Sequence, residues 1–446
     1  MQATLKIDRS KIIGSLKPMN AVNNGPFPAR GDQKCGNFDS YSKAGFPYAR
    51  THDANLCYDY GGPHIVDITA VFPNFDADET DPASYDFTLT DIYIGNIIKS
   101  GTQVFYRLGQ SIEHWEKKYG IYPPKDFAKW ARICEQIILH FNEGWADGYH
   151  YGIQYWEIWN EPDLDPDDSP NKRCWGGTKA QFFDLFEIAA KYLKSRFPHL
   201  KIGGPALACS RQWAEDFLVE MHRRNVPIDF FSWHRYDKNP RRVGEVCEIF
   251  REMLDRNGYS KAESILNEWN YVRDWGDNWI YSLRSMTGLK GASFATAVMC
   301  VCQDKPLDML MYYDARVFTG MNGLFDRLSL EPGKTYYPYF AFHKMRQSGQ
   351  EIVSESDSDS IYSLAVSDGK QMQVLLTYYS DDDNTSPKEL TLRFDAACKS
   401  QVSFFMTDEK HNMECVKTIE VSKGEQVIPL SLKLFDIYHI VMLPNE

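Results

Sequence analysis

From residue 17 to residue 348 the chain alternates short apolar runs with longer amphipathic stretches. The apolar runs read PMNAVN (18–23), FPYART (46–51), TQVFYRL (102–108), IQYWEIWN (153–160), KIGGPAL (201–207), IDFFSWH (228–234), ESILNE (263–268) and DMLMYYD (308–314). Runs that stay apolar through successive residues are those of strands covered on both faces, as in a parallel sheet. Between most of them the period changes. In PKDFAKWARICEQIILHFNEG (124–144), Phe127, Trp130, Ile133, Ile137 and Phe141 recur at helical spacing, with Pro124 near the start and Gly144 past the end. TKAQFFDLFEIAAKYLKSRF (178–197) is a second helical stretch, and GASFATAVMCVCQ (291–303) is nearly all apolar and small, as in a helix packed closely on a sheet. Eight runs alternating with helices predict an α/β fold, a closed (β/α)8 TIM barrel whose functional residues lie at the C-terminal strand ends. The alternative, an open doubly wound sheet, usually carries a phosphate-binding glycine loop, and neither GxGxxG nor GxxxxGK[ST] occurs.

After residue 349 the texture is different. SIYSLAVS, MQVLLTYYS, KELTLRF, SQVSFFMTD, QVIPLSLK and DIYHIVML alternate apolar with polar residues, and SDGK, SDDDN and SKGE separate them as turns. This predicts a C-terminal antiparallel β-sandwich. ATLKIDR (3–9) has the same alternation and precedes the first barrel run, so it is expected to join that sandwich. The expected domains are therefore an N-terminal strand segment over 1–16, a barrel over 17–348 and a β-sandwich over 349–446.

Composition narrows the partners. The chain has 446 residues and a net charge of −12, which opposes nucleic acid or an anionic membrane, since both need basic patches. Aromatic residues make up 14%, a supply of flat faces for sugar rings as well as for the core. The ten cysteines show no CxxC pairing and sit mostly in apolar surroundings, which reads as reduced core thiols. The opening MQATLKIDRS has no apolar run, so the chain as written reads as cytoplasmic, or as secreted or periplasmic where a signal has been removed. No stretch approaches the ~20 apolar residues of a membrane span. There is no HExxH, the 11 His are dispersed and no GxSxG elbow occurs, so no metal and no cofactor are expected.

The chemistry is carried by two carboxylates. YWEIWNEPD (155–163) ends the fourth barrel run on Asn160, Glu161 and Pro162. Pro162 disfavours the helical region for Glu161, so an extended turn is expected there. Trp156 and Trp159 flank it and can exclude water, which raises a carboxyl pKa as a general acid requires. SILNEWN (264–270) ends the seventh run on Glu268, framed by Asn267, Trp269 and Asn270. Two aromatic-flanked Asn-Glu pairs at the fourth and seventh strand ends face each other across one barrel mouth. That is the requirement of a retaining glycosidase, whose two carboxyl groups stand roughly 5–5.5 Å apart.

With FSWHRY between them, WNEP and NEWN resemble the motifs of the glycoside hydrolase clan whose catalytic glutamates end strands four and seven. The match is nearest to glycoside hydrolase family 39, which includes β-xylosidases and the α-L-iduronidase. The FFSWHRY stretch and Arg50-Thr51-His52 sharpen that likeness, although Asp53 stands where the family's xylosidases usually carry Gly. The resemblance implies a retaining, exo-acting β-xylosidase-like glycoside hydrolase with Glu161 as acid/base and Glu268 as nucleophile, acting on an oligosaccharide or glycoside. A homo-oligomer is an open possibility. An α-L-iduronidase-like or other glycosidase (galactoside, arabinoside) and a non-catalytic carbohydrate-binding barrel stand as alternatives.

Other positions are candidate substrate ligands. Asn160 can bond a sugar hydroxyl. His234 and Tyr236 share parity on the sixth strand, so His234 can hold a ring hydroxyl and Tyr236 can donate to Glu268. His52 shares parity with Arg50. Asp53, Tyr313 and Asp314 lie at strand ends, and Trp115 follows the third strand as a stacking platform. Each of these also fits plain packing. Arg316 and Arg273, beyond strands eight and seven, read as surface pairing.

Overall fold

The computed structural model describes residues 2–27, 36–53, 64–208 and 210–445. Eight parallel strands close the barrel: β2 (Ala21–Asn23), β3 (Tyr48–Thr51), β4 (Gln103–Leu108), β5 (Tyr155–Ile158), β6 (Lys201–Leu207), β7 (Phe230–Asp237), β8 (Glu263–Tyr271) and β9 (Met309–Tyr312). Each falls on one of the eight apolar runs. The first strand of the chain, β1 (Gln2–Gly14), lies outside the barrel.

The helices between strands are punctuated by local chemistry. Asp126 accepts the backbone N–H of Lys129 to start the helix Phe127–Glu143, and Gly144, at φ 78°, ends it in the left-handed region that glycine enters freely. Thr178 and Gln181 form a reciprocal capping box at the head of Lys179–Arg196. The helix Leu289–Gln303 is buried on nearly every side because it lies between the barrel and the C-terminal sheet. There Ser293 Oγ meets Thr377 Oγ1 at 2.7 Å, and Gln303 Nε2 donates to Glu351 Oε2 at 2.7 Å.

The C-terminal strands are β10 (Gln350–Ser356), β11 (Ile361–Ser367), β12 (Met372–Tyr378), β13 (Lys388–Ala396), β14 (Ser400–Thr407), β15 (Asn412–Val421), β16 (Gly424–Leu432) and β17 (Ile437–Pro444). With β1 they form one nine-stranded sheet in the order β15-β14-β17-β12-β11-β10-β1-β13-β16. Residues from distant strands share one core, among them Leu392 and Leu430 with Val374, Val402 and Ile440, so the sheet folds over on itself. The ladders are antiparallel except one. β1 enters between β10 and β13, antiparallel to the first and parallel to the second, which makes the sheet mixed rather than purely antiparallel. The barrel and sheet are tied by Tyr271 and Arg273, whose hydroxyl and guanidinium reach Asp381 at 2.6 and 3.1 Å. Arg273 thus pairs, as expected, but across this boundary rather than on open surface. The seven described cysteines are free, and no described helix is long and apolar enough to cross a membrane.

Candidate active site

The barrel interior is built in layers, each two residues further along its strands because inward-facing side chains recur with that period. The lowest layer is apolar: Ala21, Phe105, Tyr155, Phe230, Ile265, Met309 and Met311. Two residues on from Ala21, Tyr155, Phe230 and Ile265 stand Asn23, Glu157, Ser232 and Asn267, all buried. Arg50 joins them from β3 and organises this polar layer. Its Nε donates to Glu157 Oε2 at 2.6 Å, one Nη to Asn160 Oδ1 at 2.7 Å, and the other to Asn23 Oδ1 at 3.2 Å and Glu268 Oε2 at 3.4 Å. Ser232 Oγ and Asn267 Nδ2 complete the Glu157 carboxylate. A buried charge pair of this kind holds only because its remaining donors and acceptors are matched; removing one partner would cost about 3–5 kcal/mol.

The next layer carries the two candidate glutamates. On β8 the ladder slips between Trp233/Leu266 and His234/Glu268, so Asn267 is an extra residue. The bulge lets consecutive Asn267 and Glu268 both face inward, where a regular strand would turn one of them out. On β5 the chain leaves the strand with Trp159 and Glu161 at φ 72° and 46°. Glu161 is therefore left-handed rather than extended, the conformation disfavoured for an ordinary residue and costing about 1–3 kcal/mol. Hydrogen bonds hold it there: Trp159 N–H donates to Leu108 O at 2.6 Å and Glu161 N–H to Ala206 O at 2.8 Å. The turn also sends Trp159 outward, against Trp130 and Trp175, while Trp156 packs on Tyr106. Neither tryptophan lines the cavity, contrary to expectation. The Cys174 thiol stands 3.8 Å from Glu161 Oε2 instead, and Leu164 and Ala208 are among the cavity's apolar lining.

Side-chain oxygens of Glu161 and Glu268 and a ring nitrogen of His234 lie within 4.8 Å of one another. His234 Nδ1 and Glu161 Oε1 share a hydrogen bond of 2.8 Å, and Tyr236 donates its hydroxyl to Glu268 Oε1 at 2.5 Å. Burial lifts both carboxyls to about 7, with Arg50 opposing the shift in each and the Glu161 charge adding to it at Glu268. So close a pair titrates as a unit. Glu268 has the Arg50 guanidinium at 3.4 Å and the Tyr236 hydroxyl at 2.5 Å beside its charge, whereas Glu161 has the His234 ring. Burial holds His234 neutral, its pKa lowered to about 4, so its contact with Glu161 is a hydrogen bond rather than an ion pair. Two carboxylates and an imidazole are also a donor set for a cation, which the dispersed histidines of the sequence did not suggest. The Arg50 guanidinium beside Glu268 opposes a second positive charge there.

A raised carboxyl pKa has a stability consequence with a definite sign. Between the ordinary value of 4.5 and about 7 the folded protein holds more protons than the unfolded chain, so stability falls as pH rises through that window. Glu161→Gln removes the penalty. Its melting temperature is expected to exceed the wild type's by a few degrees at pH 8, for at most ~3 kcal/mol, with the gain vanishing near pH 4.5. Thermal melts at the two pH values check this; a variant less stable at pH 8 would contradict the electrostatic account.

The glutamates open into a cavity of about 910 Å³ at the C-terminal ends of the strands. His52, Asp53, Tyr236, Tyr313 and Trp115 line it together with them, and Trp115 is 75% exposed, as a stacking face must be. His52 Nε2 stands 3.7 Å from Glu268 Oε2. Asn160 is outside the lining, with Oδ1 taken by Arg50 and Nδ2 buried and without a partner among the described residues. His234 lies outside the lining, with Nδ1 turned to Glu161 at 2.8 Å and Nε2 buried and without a partner among the described residues. Asp314 is outside the lining: its Oδ1 accepts the Arg316 backbone N–H and its Oδ2 faces the Arg316 guanidinium at 3.5 Å. Arg316 is not at the surface either. It lines the cavity, only 20% exposed, and donates to the Asp53 carbonyl at 2.7 Å. Arg173, His64, His114, Arg235 and Trp275 also line it. Arg235 comes from β7 and the other four from loops, where no periodicity marks them; the exposed Trp275, six residues beyond Trp269, carried the one readable sign, a large aromatic among polar residues.

The family described as Glycosyl hydrolases family 39 matches residues 40–267. A β-xylosidase of Geobacillus stearothermophilus is 30% identical over 249 residues, covering 52% of this chain and 44% of that protein. A β-xylosidase of Caldicellulosiruptor saccharolyticus is 28% identical over 204 residues, 43% of this chain and 37% of that protein. The aligned stretch thus spans less than half the length of either relative. Among solved structures, a glucosidase from Croceicoccus marinus covers both chains fully with a TM-score of 0.79 at 20% identity. A monomeric β-xylosidase from Caulobacter crescentus CB15 covers 99% of this chain and 100% of its own, with a TM-score of 0.73 at 15% identity. Because the family match takes in more than half of its residues, this chain belongs to glycosyl hydrolase family 39.

Proposed function

We propose that the protein is a retaining, exo-acting glycoside hydrolase of β-xylosidase-like specificity, with Glu161 as acid/base and Glu268 as nucleophile. The observation that carries this reading is the approach of the two carboxyl groups within 4.8 Å in one cavity. Inverting enzymes hold their carboxyls ~6.5–9.5 Å apart to admit a water, a wider spacing than the approach of one oxygen from each carboxyl here. In the first step Glu268 Oε attacks the anomeric carbon while Glu161 gives its proton to the departing oxygen. In the second, Glu161, now a carboxylate, takes a proton from water, whose oxygen displaces Glu268 from the same carbon. Two inversions give net retention. Tyr236 and Arg50 oppose the burial that raises the nucleophile's pKa, and Asn160 Nδ2, unpartnered among the described residues, is a donor for a sugar hydroxyl.

The cavity arginines bear on the substrate. Arg173 is bound by Asp165 at 2.6 Å, Arg235 by Asp237, and Arg316 faces Asp314 and the Asp53 carbonyl. With each held by an acidic or carbonyl oxygen, a neutral sugar is favoured over a uronic acid. Rates on aryl xyloside, galactoside, arabinoside and iduronide test this: the xyloside should be cleaved fastest, and a preference for the iduronide would reverse the choice. No turnover of any of the four would sink the glycosidase reading.

The pair also sets the pH dependence. kcat/KM should rise as the first proton leaves and frees Glu268, and fall as the second leaves and strips Glu161 of its acid. Since burial lifts both groups to about 7, the bell should centre near neutrality rather than at the pH of ordinary carboxyls. A profile flat from about pH 4 to about pH 9, with chemistry rate-limiting, would contradict the assignment.

A further inference from the structure

Asp53 ends β3 beside His52, at φ 44°, a left-handed conformation that Asp, Asn and Gly enter at low cost. Its two carboxylate oxygens have unequal surroundings. Oδ2 accepts the Tyr313 hydroxyl at 2.8 Å and faces His52 Nε2 at 3.5 Å. Oδ1 is buried and has no hydrogen-bond partner among the described residues; His64 Nδ1, likewise without one among them, stands off at 3.8 Å. Burial alone would raise this carboxyl, but His52, Arg316, His64 and the Tyr313 hydroxyl together hold it below its ordinary value. A buried, ionised oxygen lacking a donor costs free energy in the empty protein. Asp53 lines the same cavity as Glu161 and Glu268, so a ligand can supply that donor.

Topology says which part of a sugar it meets. Glu161 ends β5, whereas Asp53 ends β3 and reaches across to Tyr313 at the end of β9, next to the strand of Glu268. A sugar with its anomeric carbon between the two glutamates has its leaving oxygen at Glu161. Its ring then runs away from Glu161, toward the β3–β9 wall. Given the glycosidase reading on which this rests, we propose that Asp53 Oδ1 accepts a hydrogen bond from a hydroxyl on the C3–C4 edge of the terminal sugar. Asp53 is thereby a specificity-determining residue that demands an unsubstituted glycone with a free hydroxyl there. A site built to bond a hydroxyl rejects the analogue lacking it far more strongly than an apolar pocket rejects a missing methylene, by up to ~10⁴-fold, because its own buried group is left unpaired.

The test compares 2,4-dinitrophenyl β-xyloside with its 3-deoxy and 4-deoxy analogues on the wild type, Asp53→Asn and Asp53→Gly. Both substitutions suit the left-handed backbone, and thermal melts alongside confirm folding. The wild type is expected to discriminate against one deoxy analogue by at least ~10²-fold in kcat/KM. Asp53→Gly should lower the rate on the parent and bring that ratio to within a few fold of unity, with Asp53→Asn, which keeps a neutral acceptor, in between. Equal rates on all three glycosides by the wild type, or a ratio unchanged in both variants, would overturn the assignment. A wild type inert toward the parent and toward the other aryl glycosides would instead remove the glycosidase reading, and Asp53's role with it.

Discussion

Glu268→Ala is expected to lower turnover of every glycoside by about 10⁴-fold or more, whatever the leaving group, on the scale seen when a covalent enzyme loses its nucleophile. No glycosyl-enzyme can form, so a good leaving group gives no relief and no burst. Folding should survive, because the substitution removes a raised-pKa carboxyl rather than a stabilising ion: Arg50 keeps Glu157 at 2.6 Å as its main partner. Small anions should enter the space vacated beside Tyr236 and attack the anomeric carbon from that face. With azide and a dinitrophenyl glycoside the product should be the glycosyl azide of inverted configuration. Single-turnover kinetics and mass spectrometry of the protein check the first part. A variant that still accumulates a covalent adduct would remove Glu268 from the nucleophile's role.

Glu161→Ala should show a different signature. Its kcat/KM should fall at least ~10²-fold on glycosides with poor leaving groups, a usual scale for lost acid catalysis, and far less on a dinitrophenyl glycoside that needs no proton. The glycosyl-enzyme should then accumulate, since no base activates water for the second step. Azide needs no base, so it should release the intermediate as a glycosyl azide with the substrate's own configuration. Inverted azide from this variant, or equal losses on good and poor leaving groups, would mean that the two glutamates have been assigned the wrong way round or act otherwise.

The eight apolar runs locate all eight barrel strands because burial on both faces leaves a continuous apolar signal. The C-terminal sheet is less legible. β15 contributes mostly exposed side chains and pairs only with β14 at the sheet edge, so Asn412–Val421 carries no apolar alternation to read. The parallel β1–β13 ladder joins segments nearly four hundred positions apart, and no local pattern encodes it. In the site, Asn-Glu after an apolar strand was readable because the strand end and the polar pair are adjacent in sequence. The bulge at Asn267 was not, since it depends on how two ladders slip against each other. Nor was the arrangement around Arg50, whose partners Asn23, Glu157, Asn160 and Glu268 come from, or just after, three separate strands, β2, β5 and β8. Arg316 looked like a surface residue because it lies beyond the last barrel strand; its place in the cavity wall follows from the turn after Tyr313, which folds it back onto Asp53.

Everything proposed for the two glutamates meets in one stereochemical outcome. Proton NMR of a digest, begun within minutes of adding enzyme to an aryl glycoside, reads the anomer of the sugar released before mutarotation mixes it. Carboxyls within 4.8 Å across one anomeric carbon predict that the first product has the configuration of the substrate. Release of the opposite anomer first would contradict the double displacement and the roles given to Glu161 and Glu268.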